Sequence, residues 1–172
     1  MNTAIINVTM RKVFHFESPK ERYKSDAAVV WCYDHRFDLV FSKLLKKIGV
    51  ERADPIRIAG GAKSLASPTN ESDRVFVLDQ IRASIRLHDT ERVILMLHSD
   101  CGAYGGLGAF DQDRTREAEN HRREMHRAAE YLKKEMPQLE VLAFFVDFTG
   151  VWQANLERAP EADMREMKEQ IA

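Results

Sequence analysis

From Ala27 to Tyr33 the chain reads Ala-Ala-Val-Val-Trp-Cys-Tyr, apolar without alternation. That pattern predicts a strand buried on both faces of a parallel sheet. The period then changes. Apolar groups at 37, 40, 41, 44, 45 and 48 gather on one face of a helix, and Gly49 suits the position just past its end. The alternation repeats down the chain. Pro55–Ala59 reads as a short strand ending in Gly60-Gly61, and Ser72-Asp73 can cap a helix running to about His88, with Val77, Leu78, Ile81 and Ile85 on its buried stripe. Arg92–His98 is the clearest third strand, and it breaks into the glycine-containing loop from Ser99 to Gly106. A charged helix from about Arg114 to Met136 stops at Pro137. Glu140–Phe148 is a fourth strand, Val151–Ala154 a short returning one, and a last helix lies near Glu161–Ile171.

Strands alternating with helices predict an α/β fold with a mostly parallel sheet of about four strands, plus a short extra strand, flanked by helices. With 172 residues and no repeat or linker, the chain is expected to form one domain, residues 1–26 as an N-terminal arm and 27–172 as the core. Charge narrows the partners. Lys and Arg number 26 against 27 Asp and Glu, a net charge of −1, so neither nucleic acid nor an anionic membrane surface is an expected partner. No apolar run approaches a membrane span, and Ala4-Ile5-Ile6 is too short for a signal-peptide core. The expected location is cytoplasmic. There, two cysteines, Cys32 and Cys101, point to metal binding or reactivity rather than to a disulfide framework.

In open α/β sheets ligands bind beyond the carboxyl ends of the strands, where strand order reverses. Cys32 ends the first strand, His98 ends the third, and Cys101 follows His98 by three residues. Two thiolates and an imidazole favour zinc, and three protein ligands leave a tetrahedral position open for water, as in catalytic sites. Another histidine could close that position, and a Cys32–Cys101 disulfide or an inert thiol pair is the competing reading. Asp34 and Arg36 lie two and four residues beyond Cys32. Arg36 can hold Asp34 bidentately and keep it ionised, so that Asp34 can orient a metal-bound water. Other motifs fail. Gly60-Gly61-Ala62-Lys63-Ser64 lacks the Gly-Lys-Ser adjacency of a phosphate loop, and Gly106-Leu107-Gly108 has Asp111 in place of a third glycine. His121-Arg122-Arg123-Glu124-Met125-His126 misses a zinc-binding spacing by one residue and reads as a solvated helix face. His35 reads as an exposed loop histidine, with a proton relay as its sharper alternative.

Cys32-Tyr33-Asp34-His35-Arg36 and His98-Ser99-Asp100-Cys101-Gly102 resemble the two signatures of the β-class carbonic anhydrases, Cys-x-Asp-x-Arg and His-x-x-Cys-Gly. Arg57-Ile58-Ala59-Gly60-Gly61 is similar to that family's Arg-Asn-Ala-Gly stretch. The resemblance implies that Cys32, His98 and Cys101 hold zinc and that Asp34 and Arg36 form a catalytic dyad. The implied reaction is reversible hydration of carbon dioxide to bicarbonate and a proton through zinc-bound hydroxide. It also implies a homodimer or higher homo-oligomer with N-terminal arms embracing the partner. The chain departs from the family pattern at His35 (usually serine), Leu97 (usually glycine) and Ile58 (usually asparagine). The last two bear on pocket shape. Relatives with this metal site hydrolyse carbonyl sulfide or carbon disulfide, so that hydrolysis and a non-catalytic zinc-binding role are the alternatives.

Overall fold

Successive side chains on a strand point to opposite faces of its sheet, and here both faces are covered. The computed structural model describes residues 10–156. Its strands are β1 (Ala27–Trp31), β2 (Ala53–Arg57), β3 (Arg92–His98), β4 (Glu140–Val146) and β5 (Val151–Gln153). They form one sheet in the order β2-β1-β3-β4-β5, parallel except for β5, which runs antiparallel to β4. The helices are α1 (Asp38–Lys47), α2 (Lys63–Ala66), α3 (Glu71–His88) and α4 (Arg114–Glu135). Ala28, Val30, Val93, Leu95, Leu97, Ala143 and Phe145 pack on one face with Val77, Leu78 and Ile81 of α3 and Met125, Ala128 and Leu132 of α4. The alternate set, Ala27, Val29, Trp31, Ile94, Met96, Phe144 and Val146, packs on the other face with Leu44 and Leu45 of α1. Non-alternating apolar runs are therefore a consequence of two covered faces.

The α/β sheet is the expected one, with local differences. β2 begins two residues before Pro55, because the parallel register pairs Ala27 with Ala53 and Ala28 with Asp54. As an edge strand bonded only to β1, it tolerates a proline that lacks an N–H. β1 ends at Trp31, whose carbonyl accepts the Ile58 N–H, and Cys32 and Tyr33 leave the sheet. Helix α3 starts one residue earlier than Ser72, since Asn70 and Asp73 form a capping box. The turn after Gly61 continues into α2, an element the sequence pattern did not predict. Residues 10–25 carry no helix or strand, and the expected last helix near Glu161–Ile171 lies outside the described residues. No helix among the described residues is long and apolar enough to cross a membrane.

The expectation of a solvated face on the charged helix is overturned. Glu117, His121 and Glu124 are 0%, 0% and 3% exposed and share the inner face of α4 with Met125, Ala128 and Leu132. The two carboxylates tolerate burial because they are hydrogen-bonded, whereas the His121 nitrogens have no hydrogen-bond partner among the described residues. Glu124 accepts hydrogen bonds from Ser67, Tyr104 and Arg127. Glu117 accepts from Ser99 and from the Asp100 backbone. The His121 ring lies 4.6 Å from that of Tyr104, 5.4 Å from Phe145 and 6.0 Å from Phe110. Burial, with a smaller contribution from His98, lowers the pKa of His121 from 6.5 to about 4.

A stability consequence follows from that shift. The unfolded chain takes up the His121 proton near its ordinary pKa, whereas the folded protein resists it down to about pH 4. Stability therefore falls as pH drops through this window, by about 3 kcal/mol at its acid end. His121→Phe keeps a ring in the aromatic cage and is expected to remove that part of the acid loss. Denaturant midpoints for both proteins at pH 7 and pH 4 check this, and equal losses in the two would contradict it.

Candidate metal centre

The reversal of strand order falls between β1 and β3, and the sequence-predicted residues collect at the carboxyl ends of these two strands. Cys32 directly follows β1. His98 is the last residue of β3, and Cys101 lies in the loop that leaves it. All three are buried, and their sulfur and nitrogen donor atoms lie within 4.8 Å of one another. Both thiols are free. The His98 ring is held between Trp31 and Phe37, 5.6 and 4.8 Å away between ring centroids. Its Nδ1 donates to the Ser99 carbonyl at 2.9 Å. Its Nε2 is buried with no hydrogen-bond partner among the described residues and lies within 4.8 Å of the two sulfurs. An imidazole nitrogen beside two thiols is a donor set that could hold a metal ion.

The surroundings shift the two thiols in opposite directions. A hydrogen bond from the Cys101 thiol is the main reason the Cys32 pKa is lowered, opposed by burial and reinforced by His98. The same bond, together with burial, raises Cys101. A thiolate rather than a thiol is the form of cysteine that binds a metal, so metal binding at this pair would release protons. Burial disfavours a charge on His98, but the neighbouring Cys32 sulfur, the Ser99 carbonyl and Asp34 outweigh it and raise its pKa.

Asp34 stands beside this cluster, its Oδ2 4.0 Å from His98 Nε2. Arg36 clasps it, with Nε 3.1 and 3.0 Å from the two carboxylate oxygens and Nη2 2.6 Å from Oδ2. The Arg36 backbone N–H adds a fourth bond at 3.0 Å. The guanidinium holds Asp34 below the usual carboxylate range. Arg36 is itself anchored by Asp100, through Nη1 to the side chain at 2.9 Å and Nη2 to the carbonyl at 3.0 Å. These groups open onto a cleft of about 650 Å³ whose walls include Ala59, Gly60, Gly102 and Ala103. His35 does not line it. Its side chain is exposed and bonds Asp38, as expected of a loop histidine. Leu97 is buried in the core, and Ile58 lines a neighbouring cavity with Phe76 and Val77, so neither departure from the family pattern borders the cleft.

A family model described as "Putative carbonic anhydrase" matches residues 23–156. The chain belongs to this carbonic anhydrase family. Among curated proteins it is similar to an uncharacterized protein of Rickettsia bellii, 28% identical over 157 residues, covering 87% of this chain and 96% of that one. An uncharacterized protein of Rickettsia conorii is 26% identical over 151 residues, covering 84% and 81%. Among solved structures, β-carbonic anhydrase isoform I of Trichomonas vaginalis has a TM-score of 0.53 at 16% identity, covering 81% of this chain and 87% of that chain. A tetrameric β-carbonic anhydrase of Sordaria macrospora has a TM-score of 0.52 at 14% identity, covering 76% and 81%. The fold is thus that of the β-carbonic anhydrases.

Three residues around this cluster escaped the sequence reading. Asp100 stood inside the second signature, but only the fold shows that it anchors Arg36. Glu117 was hidden in a helix judged by its charge, although the apolar spacing of Met125, Ala128 and Leu132 continues back through His121 to Glu117 and was the available signal. Gly61 is the third. Its φ is +54°, and a Cβ there would lie 2.5 Å from the Met96 carbonyl oxygen and 3.0 Å from the Cys32 nitrogen. Gly61→Ala is therefore expected to cost about 3 kcal/mol through left-handed strain and overpacking, lowering the melting temperature by roughly 6–12 °C. Gly49→Ala, also at positive φ but with nothing within 4 Å, isolates the conformational part and should cost about 1 kcal/mol. Equal melting temperatures for the two variants would remove the close approach as a constraint.

Proposed function

We propose that this protein is a zinc-dependent carbonic anhydrase that interconverts carbon dioxide with bicarbonate and a proton. The observation that carries the reading is the convergence of Cys32, His98 and Cys101 on the unpartnered His98 Nε2, with the Arg36-clasped Asp34 carboxylate 4.0 Å from that atom. Cys32, His98 and Cys101 would hold a zinc ion, which would supply the Lewis acidity that makes water nucleophilic at neutral pH. The remaining roles belong to the chain. Asp34 Oδ2 accepts a hydrogen bond from the attacking water and directs its lone pair into the cleft. Arg36 keeps Asp34 charged and immobile, and since Asp34 and Asp100 occupy its guanidinium it acts as a holder rather than an anion receptor. Walls of glycine and alanine leave room for a small, apolar, linear substrate.

We assign the working form to a homo-oligomer, a dimer or larger. Met10, Val13, Phe14 and Phe16 of the arm are 96%, 83%, 76% and 73% exposed, a run of large apolar side chains that a second copy would cover. Two reduced cysteines at the site suit the cytoplasm, where thiols persist.

Stopped-flow hydration of carbon dioxide at about pH 8.5, with metal content measured on the same sample, tests the main reading. About one zinc per chain and fast hydration are expected. Zinc with sulfide release from carbonyl sulfide but no hydration would move the substrate to the sulfur analogues. No zinc after reconstitution would refute the site. Asp34→Asn should keep zinc and lose about a hundredfold or more in turnover, and Cys101→Ser should lose zinc as well. Sedimentation should return a mass at least twice the 19.8 kDa of one chain; a monomer would refute the assembly.

A further inference from the structure

The buried carboxylate of Glu117 has no part in the reaction outlined above, yet it reaches a metal ligand in two hydrogen bonds. Its Oε1 accepts the Asp100 backbone N–H at 2.5 Å. The carbonyl of that same Ser99–Asp100 peptide group accepts His98 Nδ1 at 2.9 Å. Carboxylate, peptide and imidazole are thus in series, and the far end of the series is the unpartnered His98 Nε2. The other carboxylate oxygen, Oε2, accepts the Ser99 hydroxyl at 2.5 Å. Glu117 is fully buried, so no water competes for these bonds, and hydrogen bonds in such a series polarise one another.

Backbone geometry shows what the carboxylate holds in place. Asp100 has a φ of +54°, the left-handed region that a non-glycine residue adopts at a cost of about 1–2 kcal/mol. The surroundings over-determine it. Glu117 takes its N–H, Arg36 takes its carbonyl, and its side chain accepts the Leu107 N–H at 3.0 Å as well as Arg36. The Ser99–Asp100 peptide therefore cannot turn to release His98, and Cys101 follows at once in the chain.

We propose that Glu117 is a positioning residue of the metal centre. Acting through the Ser99–Asp100 peptide, it fixes the Nδ1-protonated form of His98 and strengthens Nε2 as a metal ligand. This rests on the metal reading above, and it extends that site into α4, beyond the residues of the two signatures.

The test uses cobalt(II) as the probe, its uptake and visible absorption followed in the full chain. In Glu117→Gln the amide oxygen can still accept the Asp100 N–H while its NH₂ donates to the Ser99 hydroxyl, so geometry is kept and the carboxylate is lost. Cobalt affinity is expected to fall about 10- to 100-fold, with altered absorption bands and a metal-free melting temperature near that of the wild type. Ser99→Ala removes only the bond to Oε2 and is expected to keep the wild-type spectrum. Wild-type affinity and spectrum in Glu117→Gln would overturn the proposal, as would a loss of affinity matched by an equal loss in Ser99→Ala. A second measurement does not depend on the variant folding. The Asp100 amide proton of the wild type should resonate far downfield and shift when zinc is added, and an ordinary, unresponsive amide would overturn the proposal. Wild-type protein that takes up neither cobalt nor zinc would instead overturn the metal reading, and this inference with it.

Discussion

Neighbouring parallel strands end at the same edge of a sheet, and that constraint places every group of the candidate site. The pairings Val29↔Ile94 and Val30↔Leu95 bring the end of β1 beside the end of β3, so residues 66 positions apart in the chain become neighbours. Gly61 meets the backbone at both, close to the Met96 carbonyl and the Cys32 nitrogen, which wedges the β2–α2 turn against the site. Burial of both sheet faces supplies the energy that keeps this edge in register. The site spends part of that stability on a left-handed Asp100 and on buried polar groups.

Electrostatics at the edge is a matter of who faces whom. Two sulfurs and an imidazole nitrogen lie within reach of one common ion, and the Nε2 acceptor has no hydrogen-bond partner among the described residues. Arg36 separates the Asp34 and Asp100 carboxylates and pairs with both, preventing their repulsion from pushing Asp34 away. Its planar, forked guanidinium makes this possible, and a lysine could not bridge the two in the same way. The fold alone hosts many functions, and the functional reading rests on these contacts.

Helix α4 shows how far charge can mislead when it is read without periodicity. Seen by composition, the segment from Arg114 is a solvated surface. Seen by spacing, it has one inward stripe, and the polar members of that stripe are those nearest the site. The hydrogen-bond partners of the two carboxylates come from elsewhere in the chain, the Ser99–Asp100 loop for Glu117 and Ser67 and Tyr104 for Glu124, whereas His121 has only ring contacts among the described residues. A buried carboxylate is stable only with such partners, and no local pattern announces them.

What the sequence by itself determined is the set of local decisions: four main strands, the three long helices between them, and five candidate residues in two short motifs. These are legible because hydrophobic period and ligand spacing are properties of neighbours in the chain. The motifs could even be placed together, since strand ends at a reversal of strand order must meet. The tertiary structure decided the rest. It made Asp100 the anchor of Arg36, required a glycine at Gly61, left His98 Nε2 without a partner, and turned Glu117 inward beneath the loop. These depend on distances between groups far apart in the chain, 17 residues for Asp100 with Glu117 and 64 for Asp100 with Arg36. Such distances are set by how the layers pack, and they have no counterpart in the order of residues along the chain.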